Sequence, residues 1–346
     1  MCWPKNGIPK NHYERTMLRL VRRLWVLSVI LAGCLPCFGQ GRTVALTFDD
    51  LPAAGTNDAV EARAINRTIL ESLGRHHAPA TAFVIEKRVG EIGESESRGI
   101  LRQWVQHGQD LGNHSFSHSD FNQLSVAEIE REIVSGEKSI EAVLKEVGRE
   151  PRYFRFPMNH AGDTKAKHEA AALFLSQRPY ILATCTIENT DYLFNRAYLG
   201  MLADKDASSA ERLRAAYLAY TSSEIDYYSN LNKEVLGYEP PEVMLLHANR
   251  LNADMIEELL ALFEKKEYKY VSLDVAQSDP AYKAPDTFVS MYGPMWGYRW
   301  ASERGVQVNG NLEPEPPNWV LAYAKSDHTM YHRYQRTNKG KAERHP

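Results

Sequence analysis

Two adjacent carboxylates, Asp49 and Asp50, close the apolar run Val44-Ala45-Leu46 in the stretch ALTFDDLP. Neighbouring side chains on a strand point to opposite faces, so two acids together at a strand tip raise the question of whether they share one task. Further along, Asn113-His114-Ser115-Phe116-Ser117-His118 carries two histidines four apart. On a helical turn that spacing puts both imidazoles on one face, close enough to ligate one metal ion. No Glu follows the first His, so this is not the zincin arrangement, and a general base must come from elsewhere. One Asp with two His makes a facial triad that leaves positions for water and a substrate oxygen.

Three further stretches carry reactive types. In Arg152-Tyr-Phe-Arg155-Phe-Pro157-Met-Asn159, Arg155 ends a short strand just before a proline turn, where it could hold a carboxylate bidentately and keep it ionised. Glu188-Asn-Thr-Asp191-Tyr192 follows an apolar strand, and Val243-Met-Leu-Leu246-His247 delivers a histidine at the tip of another. Taken singly, each has an ordinary structural explanation: a capping Asp, a surface Arg, a polar turn, a satisfied core His. Their common placement at strand ends, where α/β sheets and barrels build their sites, gives the set its weight.

The elements that would position these groups alternate. Strands are expected at Val44–Thr47, Ala80–Ile85, Tyr153–Phe156, Tyr180–Thr186, Val243–His247 and Tyr268–Ser272. Apolar residues at helical spacing predict helices over Ala59–His76, Ile100–His107 and Ala253–Lys265. The capping box Ser125-Val-Ala-Glu128 opens another, expected to run from about Val126 to Val147. This rhythm implies an α/β fold with a parallel sheet covered by helices, barrel or doubly wound. A helical, Tyr- and Ala-rich stretch at 195–236 reads as an insertion. An aromatic, Pro/Gly-rich segment containing Tyr292–Trp300 belongs to a C-terminal extension, 279–346, whose basic end is expected to be disordered.

The 346 residues are 43% hydrophobic and 25% charged with a net charge of −3, which provides no field for gripping nucleic acid or an anionic membrane. Residues 1–41 read as a leader: Arg22-Arg23, the apolar run Leu24–Gly33, then small residues. The run is too short to span a bilayer, which takes roughly 20 residues. Leu31-Ala32-Gly33-Cys34 has the form of a lipobox, which would give a lipid anchor at Cys34, whereas Cys37-Phe38-Gly39 would instead suit an ordinary signal peptidase; either way the expected location is periplasmic, extracellular or on the envelope. Only Cys185 lies in the body, so no disulfide framework is expected there.

The ordered set Thr47-Phe48-Asp49-Asp50, His114-Ser115-x-x-His118, Arg155-x-Pro157, Asp191-Tyr192 and Leu245-Leu246-His247 resembles the polysaccharide deacetylase family, the NodB-homology or carbohydrate esterase family 4 group. The resemblance spans roughly residues 43–275 of a domain drawn at 43–278. It implies a distorted (β/α) barrel that binds zinc, cobalt or another divalent transition metal and removes N- or O-acetyl groups from a glycan such as peptidoglycan or chitin. By motif position it implies metal ligands Asp50, His114 and His118, a base Asp49 oriented by Arg155, an acid His247 partnered by Asp191, and a backbone N–H near Met158 for the oxyanion. The chain departs from the family pattern at Met158-Asn159, at Tyr192 and in the insertion, so a small non-sugar amide is a second candidate substrate. A third reading is an inactive carbohydrate-binding protein that uses Trp296–Trp300 as a stacking platform.

Overall fold

The computed structural model describes residues 41–324. The leader, Cys34 and the basic end of the chain lie outside the described residues. β1 (Thr43–Leu51) leads through α1 (Ala59–Arg75) to β2 (Ala80–Val84), and α2 (Glu86–Ile92) and α3 (Glu94–Gln106) lead on to β3 (Asp110–Asn113). α4 (Val126–Ser135) and α5 (Lys138–Lys145) precede β4 (Tyr153–Phe154), and α6 (Lys165–Ser176) precedes β5 (Ile181–Leu182). α7 (Asp191–Ala203) and α8 (Ala207–Leu236) come before β6 (Glu242–His247), followed by α9 (Arg250–Lys265) and β7 (Lys269–Tyr270).

The strands pair in the order β5-β4-β3-β2-β1-β6, β7 adds to the start of β1, and every pair is parallel. Parallel neighbours cannot be joined by a tight turn, which is why helices separate them. Beyond β5 the chain crosses to β6: Ile187 bridges Met244, and Leu245 N–H donates to the Ile187 carbonyl at 2.9 Å. The sheet therefore curls until its two edges meet, giving the distorted (β/α) barrel. β1 is buried along nearly its whole length, as an apolar strand at the centre of such a sheet must be.

Several boundaries differ from the sequence reading, each for a local reason. β4 and β5 are two residues each because the chain after β5 changes partner. Ala183 N–H still reaches Phe154 on β4, whereas Thr186 N–H already reaches Val243 on β6. α3 starts at Glu94 rather than Ile100. The helical insertion begins at Asp191, not 195, and consists of α7 and α8. The helix expected over 126–147 is two helices broken at Gly136. A Cβ at Gly136 would collide with the Asn113 side chain and the Ser115 backbone, so the break brings the end of α4 against the His114 loop.

α10 (Leu273–Ala276) ends the domain, and the extension packs onto it through α11 (Trp296–Arg304) and α12 (Asn318–Ala324). Trp296 and Trp300 are only 5% and 3% exposed, and the Trp296 N–H donates to the Cys185 carbonyl at 3.0 Å. The stacking platform is therefore absent: these aromatics belong to the core.

Because Gly136 is held by close approach rather than by an unusual backbone angle, Gly136→Ala is expected to destabilise by about 1–3 kcal/mol. The expected readouts are a lowered Tm and a displaced His114–His118 loop, followed by histidine NMR shifts.

Candidate metal and catalytic site

The site forms at the C-terminal tips of β1, β3 and β6 and in the loop after β4. Asp49 and Asp50 end β1, and Asp50 has φ +65°, a left-handed conformation that Asp tolerates better than most residues. That turn lets the two carboxylates leave the strand toward different partners. The chain beyond is tied down by Asn66, whose Nδ2 donates to the Pro52 carbonyl at 2.7 Å and whose Oδ1 accepts from Trp104 Nε1 at 2.7 Å.

His114 follows β3 and is 1% exposed. Its Nδ1 donates to the Arg155 carbonyl at 2.9 Å, which leaves the Nε2 lone pair facing both acids, 3.6 Å from Asp49 Oδ2 and 3.7 Å from Asp50 Oδ1. His118 Nε2 lies 3.5 Å from the same oxygen. The two histidines do not share a helical turn. They lie on a loop that turns through positive φ at Ser115 (+67°) and His118 (+60°), fixed by Ser115 N–H to Asn113 Oδ1 at 2.8 Å and His118 N–H to Ser115 Oγ at 3.1 Å. Folding back brings together what a helix would have brought together by spacing.

Ligand atoms of Asp50, His114 and His118 lie within 4.8 Å of one another, and no other such group occurs among the described residues. Asp50 Oδ1 is buried and accepts no hydrogen bond. Burial, which outweighs the nearby carboxylates, pushes His114 down to about 4, so its imidazole is neutral and can donate a lone pair. An orphaned carboxylate oxygen flanked by two imidazole nitrogens fits a divalent cation.

Asp49 turns inward. Arg155, 1% exposed, donates from Nη1 to Asp49 Oδ1 at 2.8 Å and to Thr47 Oγ1 at 2.7 Å. Its other nitrogens reach the carbonyls of Ala183 (3.3 Å) and Thr184 (3.0 Å), and its guanidinium lies 4.3 Å over the Phe83 ring. The contact with Asp49 is made by one nitrogen, not the two-pronged fork expected from sequence, because the others satisfy the barrel wall. Burial would raise the Asp49 carboxyl, but the Arg155 charge overrides it and holds the pKa below the ordinary value.

His247 ends β6. Its Nδ1 meets Asp191 Oδ1 at 2.6 Å, and its backbone N–H donates to Asp191 Oδ2 at 2.7 Å. Burial works against the imidazolium, but the charge and hydrogen bond of Asp191, with Asp50 and Asp49 beyond, raise it to about 10. Nδ1 is committed to Asp191, so Nε2 is the nitrogen free to exchange a proton with substrate. Tyr192, half-exposed, has its ring centroid 6.2 Å from the His247 ring. Met158, at 46% exposure, occupies the turn after Arg155 with φ +55°.

Sequence reasoning did not identify the residues that hold Asp191. Asn252 Nδ2 donates to Asp191 Oδ2 and, at 2.8 Å, to the His247 carbonyl. Asn249 Nδ2 reaches the same carboxylate at 3.3 Å, and the Tyr217 hydroxyl from α8 donates to Asn252 Oδ1 at 2.5 Å. The available signal was Asn249, an N-cap at the start of α9 that accepts from Asn252 N–H at 2.8 Å.

The family model described as polysaccharide deacetylase matches residues 39–174, the segment carrying Asp49, Asp50, His114, His118 and Arg155. Over that segment the chain is similar to the polysaccharide deacetylase family. Among curated members it is 26% identical over 137 residues to the peptidoglycan-N-acetylglucosamine deacetylase PgdA of Listeria monocytogenes, covering 40% of this chain and 26% of that one. It is 30% identical over 116 residues to the chitooligosaccharide deacetylase of a Bradyrhizobium species, covering 34% of this chain and 46% of that one. The chain thus spans less than half the length of these relatives. Among solved structures, BA3943 from Bacillus anthracis, described as a CE4 family pseudoenzyme, is 17% identical over 68% of this chain and 66% of its own, with a TM-score of 0.47. His247 and Asp191 lie beyond the matched segment, so their place in the site rests on the geometry above.

Removing the Arg155 cation leaves a buried, uncompensated carboxylate. Arg155→Met is therefore expected to destabilise by about 3–5 kcal/mol, measured by denaturant titration. Asp49→Asn in the same background should recover part of that loss.

Proposed function

We propose that the chain is a metal-dependent hydrolase that removes acetyl groups from an N-acetylated glycan of the cell-wall or chitin type. The observation that carries this reading is the placement, side by side on neighbouring strands, of an ionised, arginine-held Asp49 and a protonated His247, next to a three-residue metal set. The chemistry of an amide needs a base for water and an acid for the departing nitrogen. Asp50, His114 and His118 would hold the cation, zinc being the first candidate for an Asp/His₂ set. When bound, the metal supplies Lewis acidity toward the acetyl carbonyl and lowers the pKa of water.

Asp49 takes the proton of the attacking water; its depressed pKa keeps it ionised, and Arg155 fixes its orientation. The backbone N–H of Met158 donates to the oxygen on which negative charge develops. His247 then gives the proton on Nε2 to the leaving nitrogen, and Asp191 stabilises the imidazolium until that step. The amine departs with the sugar, and acetate remains. The leader at 1–41 supports export to the periplasm or beyond, where such a glycan is found.

Acetate release from chitooligosaccharide or peptidoglycan fragments, with metal supplied, tests the activity. Turnover of simple amides in a screen where no sugar reacts would move the assignment to a small non-sugar amide. Asp50→Ala is expected to lose bound metal by elemental analysis, while Asp49→Ala keeps metal and loses turnover by on the order of 10²–10⁴-fold. Equal metal loss in both would refute the division of roles.

The acid side has its own pH signature. His247 must be protonated, so activity should hold through neutrality and fall as pH rises toward about 10. In Asp191→Asn the largest influence that raises the imidazole is gone, and only Asp50 and Asp49 still oppose burial. The alkaline limb of the kcat–pH profile should then move to lower pH, and an unmoved limb would remove His247 from the role of acid.

A further inference from the structure

Two stretches on which the proposed reaction depends are both held out of ordinary backbone conformations. The loop carrying His114 and His118 passes through positive φ at Ser115 and His118. The turn carrying Met158 does so at two residues running, Met158 (+55°) and Asn159 (+54°). Side chains rarely adopt this region, and such turns persist where their surroundings fix them.

The Met158 turn is fixed at three points. At its entry, the Arg155 carbonyl accepts from His114 Nδ1, and the Phe156 ring packs on Phe121 with centroids 5.5 Å apart. In its middle, the Asn159 carbonyl accepts from Arg299, and Asn159 Oδ1 accepts from Cys185 Sγ at 3.4 Å. At its exit stands His160. The His160 N–H donates to the Pro157 carbonyl at 3.0 Å and closes the turn, while Nδ1 donates to Asp120 Oδ1 at 2.8 Å. Asp120 lies two residues past His118, and the same oxygen accepts from Asn122 N–H at 2.9 Å, capping the short turn that follows. Both side chains are partly buried, which spares the pair some of the screening that weakens surface ion pairs. One side-chain contact thus ties the far end of the Met158 turn to the loop of the metal ligands. The reacting carbonyl oxygen has to meet the metal and the Met158 N–H together, so the spacing of these two stretches matters to the rate.

We propose that Asp120 and His160 are positioning residues that set the spacing between the metal set and the Met158 N–H. The inference rests on the deacetylase reading and deepens it. Without the pair, Asp50, His114 and His118 still hold metal and the glycan still binds, but the developing oxyanion is met less well.

Kinetics and calorimetry on the metal-loaded full chain test this together. His160→Ala is expected to lower kcat on the order of 10- to 10²-fold with KM and metal content unchanged. His160→Asn, whose Nδ2 can replace the imidazole Nδ1 toward Asp120, should recover most of the loss. Asp120→Ala should match His160→Ala, and the double variant should lose no more than either alone. Acetate, titrated as a probe that places an oxygen between the metal and the Met158 N–H, should bind more weakly in both alanine variants and regain affinity in His160→Asn. Should His160→Ala fail to fold, Asp120→Ala against Asp120→Asn, which keeps the accepting oxygen, carries the same comparison. Metal lost from the alanine variants, additive losses in the double variant, or unchanged kcat and acetate affinity would each overturn the proposal. If the wild-type chain releases acetate from glycan fragments and the alanine variants match it, the positioning role fails and the deacetylase stands. If the wild-type chain releases none but acetate affinity depends on the pair, the positioning role stands and the deacetylase fails.

Discussion

The cation of Arg155 lies inside the barrel, and much of the site depends on it. A guanidinium at that depth is tolerable only if its donors are met, and the structure meets them with Asp49, Thr47 and the carbonyls of Ala183 and Thr184. Those partners come from β1 and from the segment after β5, so one side chain ties together the strand that carries the acids and the stretch that closes the sheet. The Arg155 backbone also takes part, because its carbonyl accepts from His114 Nδ1 and thereby sets which nitrogen faces Asp50. Charge, tautomer and barrel closure thus meet at one residue.

The same arrangement accounts for two acids in a row. On a regular strand Asp49 and Asp50 would face opposite sides of the sheet, and only one could reach the site. The positive φ at Asp50 breaks that alternation at the last turn of β1. Asp49 keeps the inward direction, where a cation offsets its charge, and Asp50 swings toward the imidazoles. Strained backbone at a site is retained when the surroundings fix it; here the turn beyond is held by Asn66 and Trp104.

Much of this was legible in the sequence because it rests on residue type and order. The two acids at the end of an apolar run, the spaced histidines, Arg155 and the histidine ending β6 all occupy the site, and the alternating β and α pattern identified the sheet. What sequence could not show depended on contacts distant in the chain. The histidine spacing read as helix, since spacing alone does not reveal the Ser115 and His118 backbone turns that Asn113 and Ser115 stabilise. The break at Gly136 inside the helix expected over 126–147 was not visible, because the loop that glycine must clear lies on another segment. Asn252 and Tyr217 were invisible for the same reason: each matters only through Asp191, which α8 and α9 reach by packing.

The insertion and the extension are therefore parts of the acid side of the site. Tyr217 of α8 holds Asn252, Asn252 holds Asp191, and Asp191 holds His247. From the opposite side, Arg299 of α11 donates to the Asn159 carbonyl at 2.8 Å, and Gly293 lies so close to Met158 and Asn159 that a Cβ there would not fit. The proline turn after β4 is thus clamped from outside the barrel by a segment more than a hundred residues further along the chain. A barrel alone would present the metal set and Asp49. The helices and tail added to it here fix the angle of His247 and the turn carrying Met158, the two groups that face the departing nitrogen and the developing oxyanion on the proposed path.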